Sequence, residues 1–254
     1  MKLYAMICGH MRARQKIFLP DTDSDVFAES PIPVFLITHP QGNVLFDTGP
    51  HPDAFKDAAS RWGGLAKAFE PIGDESCGVL SQLEKIGFGP EKIKYVVSSH
   101  LHFDHAGGNQ FFSKSTFLVS KKELECAKTP ENEGKGYFRA DWNHPLTYRE
   151  IDGEMDLFDD GKLKIMPMPG HTPGHQILVV RLEARGTVVL SGDGAAFKEH
   201  YYDLVVPRNN MDTKQAIQSI KGLHAMVEKE NAFLIHGHDP SQWKEIKIAP
   251  EYYD

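Results

Sequence analysis

Four side chains that can bind metal ions stand within six residues of the sequence, in the stretch His100-Leu101-His102-Phe103-Asp104-His105. Imidazole and carboxylate groups are ligands suited to zinc, iron, manganese and cobalt. One catalytic metal needs only three protein ligands, because its remaining position stays open for water or substrate. The stretch therefore predicts two adjacent divalent metal ions. Zinc is the expected metal, with iron, manganese and cobalt as alternatives.

Further candidate ligands follow other apolar segments, each beside a glycine that lets the backbone approach closely. They occur in three places: Gly170-His171, Gly192-Asp193 and His236-Gly237-His238-Asp239. A single histidine is more often structural than a ligand. Recurrence at the ends of predicted strands favours a metal site assembled across a sheet.

Short apolar strands, separated by Gly, Pro and Asp, must position these side chains. We predict strands at residues 1–7, 33–38, 44–47, 92–97, 116–120, 163–168, 176–182, 187–190 and 232–235. Residues 33–47 read as a hairpin with the turn Gln41-Gly42-Asn43. Helical periodicity predicts helices at 79–86, 121–126 and 213–228, the last capped by Asp212 or Thr213. Early hairpins, later mixed elements and no internal repeat predict a layered α/β fold with sheet packed on sheet.

Two aromatic segments interrupt this regular pattern, at residues 52–74 and 129–148. Neither has the composition of a linker. They either cover a pocket or pack onto the surface of their own domain.

The composition narrows the class of protein. Over 254 residues the formal net charge is −7 and no basic patch is present, so we expect no nucleic-acid partner. No apolar stretch approaches the roughly 20 residues that span a bilayer, so we expect no membrane partner. The three cysteines are odd in number and widely spaced, which argues against disulfides and thiolate zinc sites. Because the N-terminus reads as a strand and not as a signal peptide, we expect a cytoplasmic protein.

The motif order HxHxDH, Gly-His, Gly-Asp and Gly-His-Asp, preceded by the strand and turn at 44–49, resembles the metallo-β-lactamase superfamily over nearly the whole chain. The resemblance implies a single domain at 1–254, an αββα sandwich of two mixed β-sheets flanked by helices. It implies a first metal on His100, His102 and His171, a second on Asp104, His105 and His238, and Asp193 as the bridge between them. Asp47 would orient a ligand histidine or its loop. His236 would be structural or support a ligand, because His238 and not His236 precedes Asp239.

Within that superfamily the chain is most similar to the quorum-quenching N-acyl homoserine lactonases. Asp193 argues against true β-lactamases, which typically lack a bridging aspartate. The resemblance implies that hydroxide between the two metals opens a lactone ring. Asp104 and Asp193 would be the catalytic carboxylates, with Asp193 passing a proton to the leaving alkoxide. The chain departs from the pattern at Ala196, where these lactonases usually carry a tyrosine that contacts the substrate carbonyl.

Other functions stay open on the same scaffold. The alternatives are hydrolysis of another ester or phosphoester, an iron-dependent redox reaction, and a catalytically silent member of the fold. In the preferred interpretation the partner is a small-molecule lactone or ester, and the protein is a monomer or a homodimer.

Overall fold

The computed structural model describes residues 1–254 and contains twelve strands, seven α-helices and nine short 3-10 helices. The strands are β1 (Lys2–Arg14), β2 (Phe27–Thr38), β3 (Asn43–Phe46), β4 (Phe69–Ile72), β5 (Ile93–Val97), β6 (Thr116–Ser120), β7 (Thr147–Ile151), β8 (Met155–Asp156), β9 (Leu163–Pro167), β10 (Gln176–Leu182), β11 (Gly186–Leu190) and β12 (Phe233–Ile235).

The α-helices are α1 (Ala58–Trp62), α2 (Val79–Lys85), α3 (Phe103–Ala106), α4 (Lys121–Lys128), α5 (Arg139–Trp142), α6 (Lys198–Tyr202) and α7 (Thr213–Glu230). The 3-10 helices are Gln15–Ile17, Pro52–Phe55, Gly63–Lys67, Glu75–Cys77, Pro90–Lys92, Asn109–Phe111, Pro130–Asn132, Gly192–Ala195 and Gln242–Lys244. No helix is long and apolar enough to cross a membrane.

The strands form two mixed sheets. The first has the order β4-β1-β2-β3-β5-β6-β7, and its strands β3, β5, β6 and β7 are parallel. The second has the order β12-β11-β10-β9-β8, with only β11 and β12 paired in parallel. Because β9 and β11 both pair antiparallel with β10, the strands β9, β11 and β12 all run in one direction.

The two sheets pack face to face because successive side chains of a strand point to opposite faces. In β2, Phe35 and Ile37 enter the core between the sheets, together with Leu178 and Val180 of β10. Leu36, between the first two in sequence, points to the outer face of the first sheet. The central core contains 21 buried residues drawn from both sheets. Burial of each large aliphatic side chain contributes about 1.5–3 kcal/mol to folding.

A helix covers the outer face of each sheet. Val79 and Leu83 of α2 pack against the first sheet, and Ile220 and Leu223 of α7 pack against the second. Asp212 caps α7, because its side chain accepts a hydrogen bond from the N–H of Gln215 at 2.9 Å. The αββα sandwich implied by the sequence is therefore confirmed.

Three strands were not predicted from the sequence: β4, β7 and β8. β4, β7 and β8 are edge strands of their sheets. β4 contains Pro71, and β7 (Thr-Tyr-Arg-Glu-Ile) is largely solvent-facing. An edge strand has one unpaired side, so proline and charged residues are tolerated there and the apolar alternation disappears.

Candidate metal centre

The seven residues predicted as metal ligands meet at one edge of the sandwich. They follow strands whose carboxyl ends share that edge: β5 leads to the His100–His105 stretch, β9 to His171, β11 to Asp193 and β12 to His238. All seven side chains are buried, the most exposed residues being 9% accessible. Burial of so many polar groups requires partners for them.

His100, His102 and His171 form the first group. The Nδ1 atom of His102 lies 3.1 Å from Nε2 of His171. One ligand atom from each of the three lies within 4.8 Å of the others. Nε2 of His100 is fully buried and has no hydrogen-bond partner. A buried imidazole nitrogen without a partner is the arrangement expected at a metal-binding atom.

Asp104, His105 and His238 form the second group. The Nε2 atoms of His105 and His238 are 3.4 Å apart. Oδ2 of Asp104 lies 3.6 Å from Nε2 of His105 and 3.8 Å from Nε2 of His238. Each group therefore combines two side chains that follow the first sheet with one that follows the second.

The carboxylate of Asp193 lies between the two groups. Its Oδ1 atom is 2.9 Å from Nε2 of His238 and 3.2 Å from Nε2 of His105. Its Oδ2 atom is 3.2 Å from Nε2 of His171. One oxygen of this carboxylate therefore faces each group.

The spacing of these atoms fits metal ligation. Ligands lie about 2.0–2.2 Å from a tetrahedral zinc ion, which separates any two of them by roughly 3.3 Å. Nδ1 of His102 and Nε2 of His171 are 3.1 Å apart, and the oxygens of Asp193 lie 2.9–3.2 Å from the histidine nitrogens that face them. The neighbouring donor atoms of the second group are 3.4–3.8 Å apart. The His/Asp groups are thus suited to a dinuclear metal site.

Hydrogen bonds to the opposite ring nitrogens orient four of the five histidines. His238 donates from Nδ1 to the carbonyl of Pro31 at 2.8 Å, and His171 Nδ1 lies 3.0 Å from Oδ1 of Asn210. A hydrogen on Nδ1 leaves the lone pair of Nε2 free for a metal.

Asp47 and Ser99 orient the other two of these four histidines, His105 and His100. The Oδ2 atom of Asp47 accepts from Nδ1 of His105 at 2.8 Å and from the hydroxyl of Ser99 at 2.7 Å. Since that hydroxyl donates to Asp47, its oxygen accepts from Nδ1 of His100 at 3.0 Å. Asp47 therefore orients His105 directly and His100 through Ser99.

The buried negative charges of the site favour the binding of cations. Asp104, Asp193 and Asp47 are buried, and none forms an ion pair with lysine or arginine. Burial by itself lowers the pKa of His105, but these carboxylates outweigh burial and raise that pKa well above its ordinary value. Burial would raise the pKa of Asp193, yet the adjacent histidines hold it well below its usual range. Burial lowers the pKa of His100 and of His102, which favours the neutral ligand form.

Two histidines near the predicted ligands lie outside both groups. His236 donates from Nδ1 to the carbonyl of Ala195 at 2.9 Å, and its own carbonyl accepts from the indole of Trp243, so its contacts are structural. Nε2 of His175 accepts the backbone N–H of Asp193 at 3.1 Å. Gly192 permits this approach, because its φ is +50° and a Cβ there would lie 3.0 Å from that nitrogen.

The two aromatic segments pack against the site and against each other. Trp62 and Phe138, one from each segment, contact Phe103 with ring centroids 4.7 and 6.3 Å away. The ring of Tyr137 meets the ring of His102 edge-on at 4.7 Å. Ala196 is buried in the same aromatic cluster as Trp62 and Phe103. The segments are thus both packed on the domain and positioned over the site.

Sequence reasoning missed four residues that support the predicted ligands: Ser99, Glu123, Asn210 and His175. Ser99 and His175 stand beside predicted motifs, which is the only signal that the sequence offers for them. Glu123 lies in a helix that was predicted without any role at the site. The partners of Glu123 and Asn210 are 14 to 51 residues away along the chain.

Known proteins share this sequence pattern and this architecture. The family model of the metallo-beta-lactamase superfamily matches residues 28–240. The chain is 34% identical, over 259 aligned residues, to the N-acyl homoserine lactonase AttM of Azorhizobium caulinodans, which covers 100% of this chain and 98% of the relative. It is 34% identical over 223 residues to the N-acyl homoserine lactonase of Bacillus cereus, at 87% and 86% coverage. A solved N-acyl homoserine lactone hydrolase, with N-hexanoyl-L-homoserine bound at its catalytic metal centre, superposes with a TM-score of 0.91 at 30% identity and covers 99% of this chain and 98% of its own.

Proposed function

The chain belongs to the metallo-β-lactamase superfamily, and on that premise we propose that it is a dinuclear-metal hydrolase that opens the lactone ring of N-acyl homoserine lactones. The observation that carries the proposal is the position of the Asp193 carboxylate, with one oxygen toward each of two histidine-containing groups. Whole-length similarity to lactonases at 34% identity supports the substrate class.

His100, His102 and His171 would hold one metal, Asp104, His105 and His238 the other, and Asp193 both. When bound there, two divalent ions, zinc in the first instance, would lower the pKa of a water molecule and polarise the substrate carbonyl. No serine or cysteine nucleophile is then needed.

The carboxylates supply the proton chemistry of the proposed reaction. Asp193 lies between the two groups and, at 9% accessible, is the least buried carboxylate of the cluster, so we assign the proton transfer to it. It accepts the proton released by the attacking water and returns it to the alkoxide, which remains attached to the opened ring. Asp104 lies beside His105 and His238 and would hold that side of the centre.

Ala196 affects how the substrate carbonyl would be oriented. Ala196 has no hydroxyl, and it is buried in the hydrophobic cluster that also contains Trp62 and Phe103. The substrate carbonyl therefore gains no hydrogen bond from this position, and orientation depends more on the metals and on apolar contacts.

We further propose that residues 1–254 are one domain, because both sheets share one core, and that the enzyme works in the cytoplasm as a monomer or homodimer.

The test is metal content per chain, followed on the same sample by hydrolysis of N-hexanoyl-L-homoserine lactone with a pH indicator. Protein stripped with a chelator and then reloaded is the matched control. We expect about two metals per chain, and acid release that disappears on stripping and returns on reloading. Two metals without lactone turnover would refute the lactonase assignment and redirect the search to other esters and phosphoesters. Bound iron with oxygen consumption would instead favour a redox enzyme.

A further inference from the structure

Glu123 is a completely buried carboxylate that the proposed chemistry does not use. It lies in the first turn of α4 and pairs with no lysine or arginine. Four donors surround its two oxygens. Oε1 accepts from the backbone N–H of Leu101 at 2.9 Å and from the hydroxyl of Tyr137 at 2.8 Å. Oε2 accepts from the hydroxyl of Thr172 at 2.7 Å and from the backbone N–H of Gly174 at 3.2 Å.

These donors belong to the two loops that carry the first group of histidines. Leu101 stands between His100 and His102, so Oε1 fixes the backbone that joins them. Thr172 directly follows His171, so Oε2 fixes the second loop. One carboxylate therefore joins the His100–His102 loop, which follows the first sheet, to the His171 loop, which follows the second.

Two further contacts make this arrangement rigid. The hydroxyl of Tyr137 donates to Glu123 while its ring packs edge-on against His102, so Glu123 also fixes the neighbour of a predicted ligand. Gly174 lies so close to α4 that a Cβ on it would be 2.1 Å from the backbone nitrogen of Glu123. The helix and the His171 loop are thus in backbone contact and cannot slide past each other.

We propose that Glu123 is a positioning residue for one of the two metals, the one held by His100, His102 and His171, and that it has no comparable role for the other. The inference rests on the proposed dinuclear centre. Glu123 makes no hydrogen bond or ion pair with Asp104, His105 or His238. His105 is oriented by Asp47, and His238 by the carbonyl of Pro31.

Glu123→Gln tests this with minimal change of shape. In glutamine an NH₂ group replaces one carboxylate oxygen. This NH₂ group must face the backbone N–H of either Leu101 or Gly174. A buried donor without an acceptor is then unavoidable, and the loop that carries it must shift. We expect the affinity of the first site for metal to fall about 10- to 100-fold, which is the usual effect of losing such a supporting contact. The affinity of the second site should stay within about twofold of wild type.

The measurement is a stepwise cobalt(II) titration of metal-free protein, followed by absorption spectroscopy against a competing chelator. His171→Ala and His238→Ala each remove a ligand of one site and so provide reference spectra for the other. Glu125→Gln is the matched control, because this exposed residue lies on the same helix and its side chain makes no hydrogen bond. Thr172→Val removes a single donor to Oε2 and should weaken the first site several-fold, which keeps the test decisive if Glu123→Gln does not fold.

A loss of affinity shared equally by both sites would overturn the proposal, because a purely structural residue would act on the whole edge of the sandwich. Unchanged affinity at the first site would overturn it as well. Lactone turnover plays no part in this readout. A wild-type protein that binds two cobalt ions without opening lactones would refute the proposed function and leave the role of Glu123 supported or refuted by its own titration.

Discussion

Replacing Asp47 by asparagine should trap His105 in a tautomer that cannot bind metal. Oδ1 of Asp47 accepts the backbone N–H of Ser99 at 2.6 Å, and Oδ2 accepts from Nδ1 of His105 at 2.8 Å. The oxygen of an asparagine must face the backbone N–H, since the opposite orientation would set two donors against each other. Its NH₂ group then faces Nδ1 of His105, which must become an acceptor. The ring proton moves to Nε2, the atom that faces Asp104, Asp193 and His238.

The size of the effect follows from this exchange. A metal entering the second site must displace a proton that the asparagine holds in place. Outer carboxylate partners of ligating histidines typically contribute 10- to 100-fold to metal affinity. That range corresponds to about 1.4–2.7 kcal/mol, at about 1.36 kcal/mol for each factor of ten. We expect a loss of this size at the site of Asp104, His105 and His238. The first site should also weaken, because the same NH₂ group replaces the oxygen that accepts the Ser99 hydroxyl, which orients His100.

The assay is zinc binding against a competing chelator at pH 7, with the metal-to-chain ratio measured after dialysis. Asp160→Asn is the matched control, because Asp160 accepts from Nε2 of His39 at 2.9 Å. That pair lies beyond the carboxyl end of β2, at the opposite end of the sheet from the candidate centre. Two zinc ions held by Asp47→Asn with wild-type affinity would refute the tautomer argument.

Three further predictions concern turnover, acid stability and a buried ion pair. Asp193→Asn should keep the fold and lower kcat at least about 100-fold, because an amide cannot relay the proton; full metal content with unchanged kcat would exclude that role. His200 is buried, and burial lowers its pKa to about 4, against 6.5 when unfolded. Between these pH values the unfolded chain binds a proton that the folded chain does not, so the stability that neutral His200 contributes is lost as pH falls. The difference in the free energy of unfolding between wild type and His200→Gln, measured in urea, should therefore shrink by about 3 kcal/mol from pH 7 to pH 4. A difference that stays constant would contradict this. Arg61→Ala leaves the buried carboxylate of Asp141 without its partner and should lower the free energy of unfolding by about 3–5 kcal/mol in urea titrations, whereas a loss below about 1 kcal/mol would mean that the pair is effectively solvent-exposed.

Much of the fold could be predicted because the central strands are buried on both faces and read as apolar runs. β6 and β10 have the predicted bounds, and α7 begins at the predicted residue. Glycine and polar residues interrupt the apolar runs after β5, β9, β11 and β12, and those interruptions carry the candidate ligands. The resemblance to a known family supplied the pairing of ligands into two groups, which spacing alone left open.

The supporting contacts of the site could not be predicted, because they depend on which loops meet in space. Asn210 precedes α7 in sequence and reaches His171 only after the second sheet and α7 have packed together. Glu123 looks like an ordinary charged residue in Lys121–Lys128, a helix with several other charges. Nothing in its local sequence indicates that it is fully buried and surrounded by four donors.

Each candidate metal would draw its ligands from both halves of the sandwich. Bound metal would therefore act as a cross-link between the two sheets. A ligand that binds only the native state stabilises it by about 2.7 kcal/mol at a concentration 100 times its Kd. The metal-free chain would have to hold the two sheets together around a cluster of buried carboxylates whose only cationic partners are histidines. We therefore expect the melting temperature to rise with added zinc. The lifetime of the protein in a cell with proteases would then depend on the zinc supply, so scarcity would lower the amount of enzyme as well as the activity of each molecule.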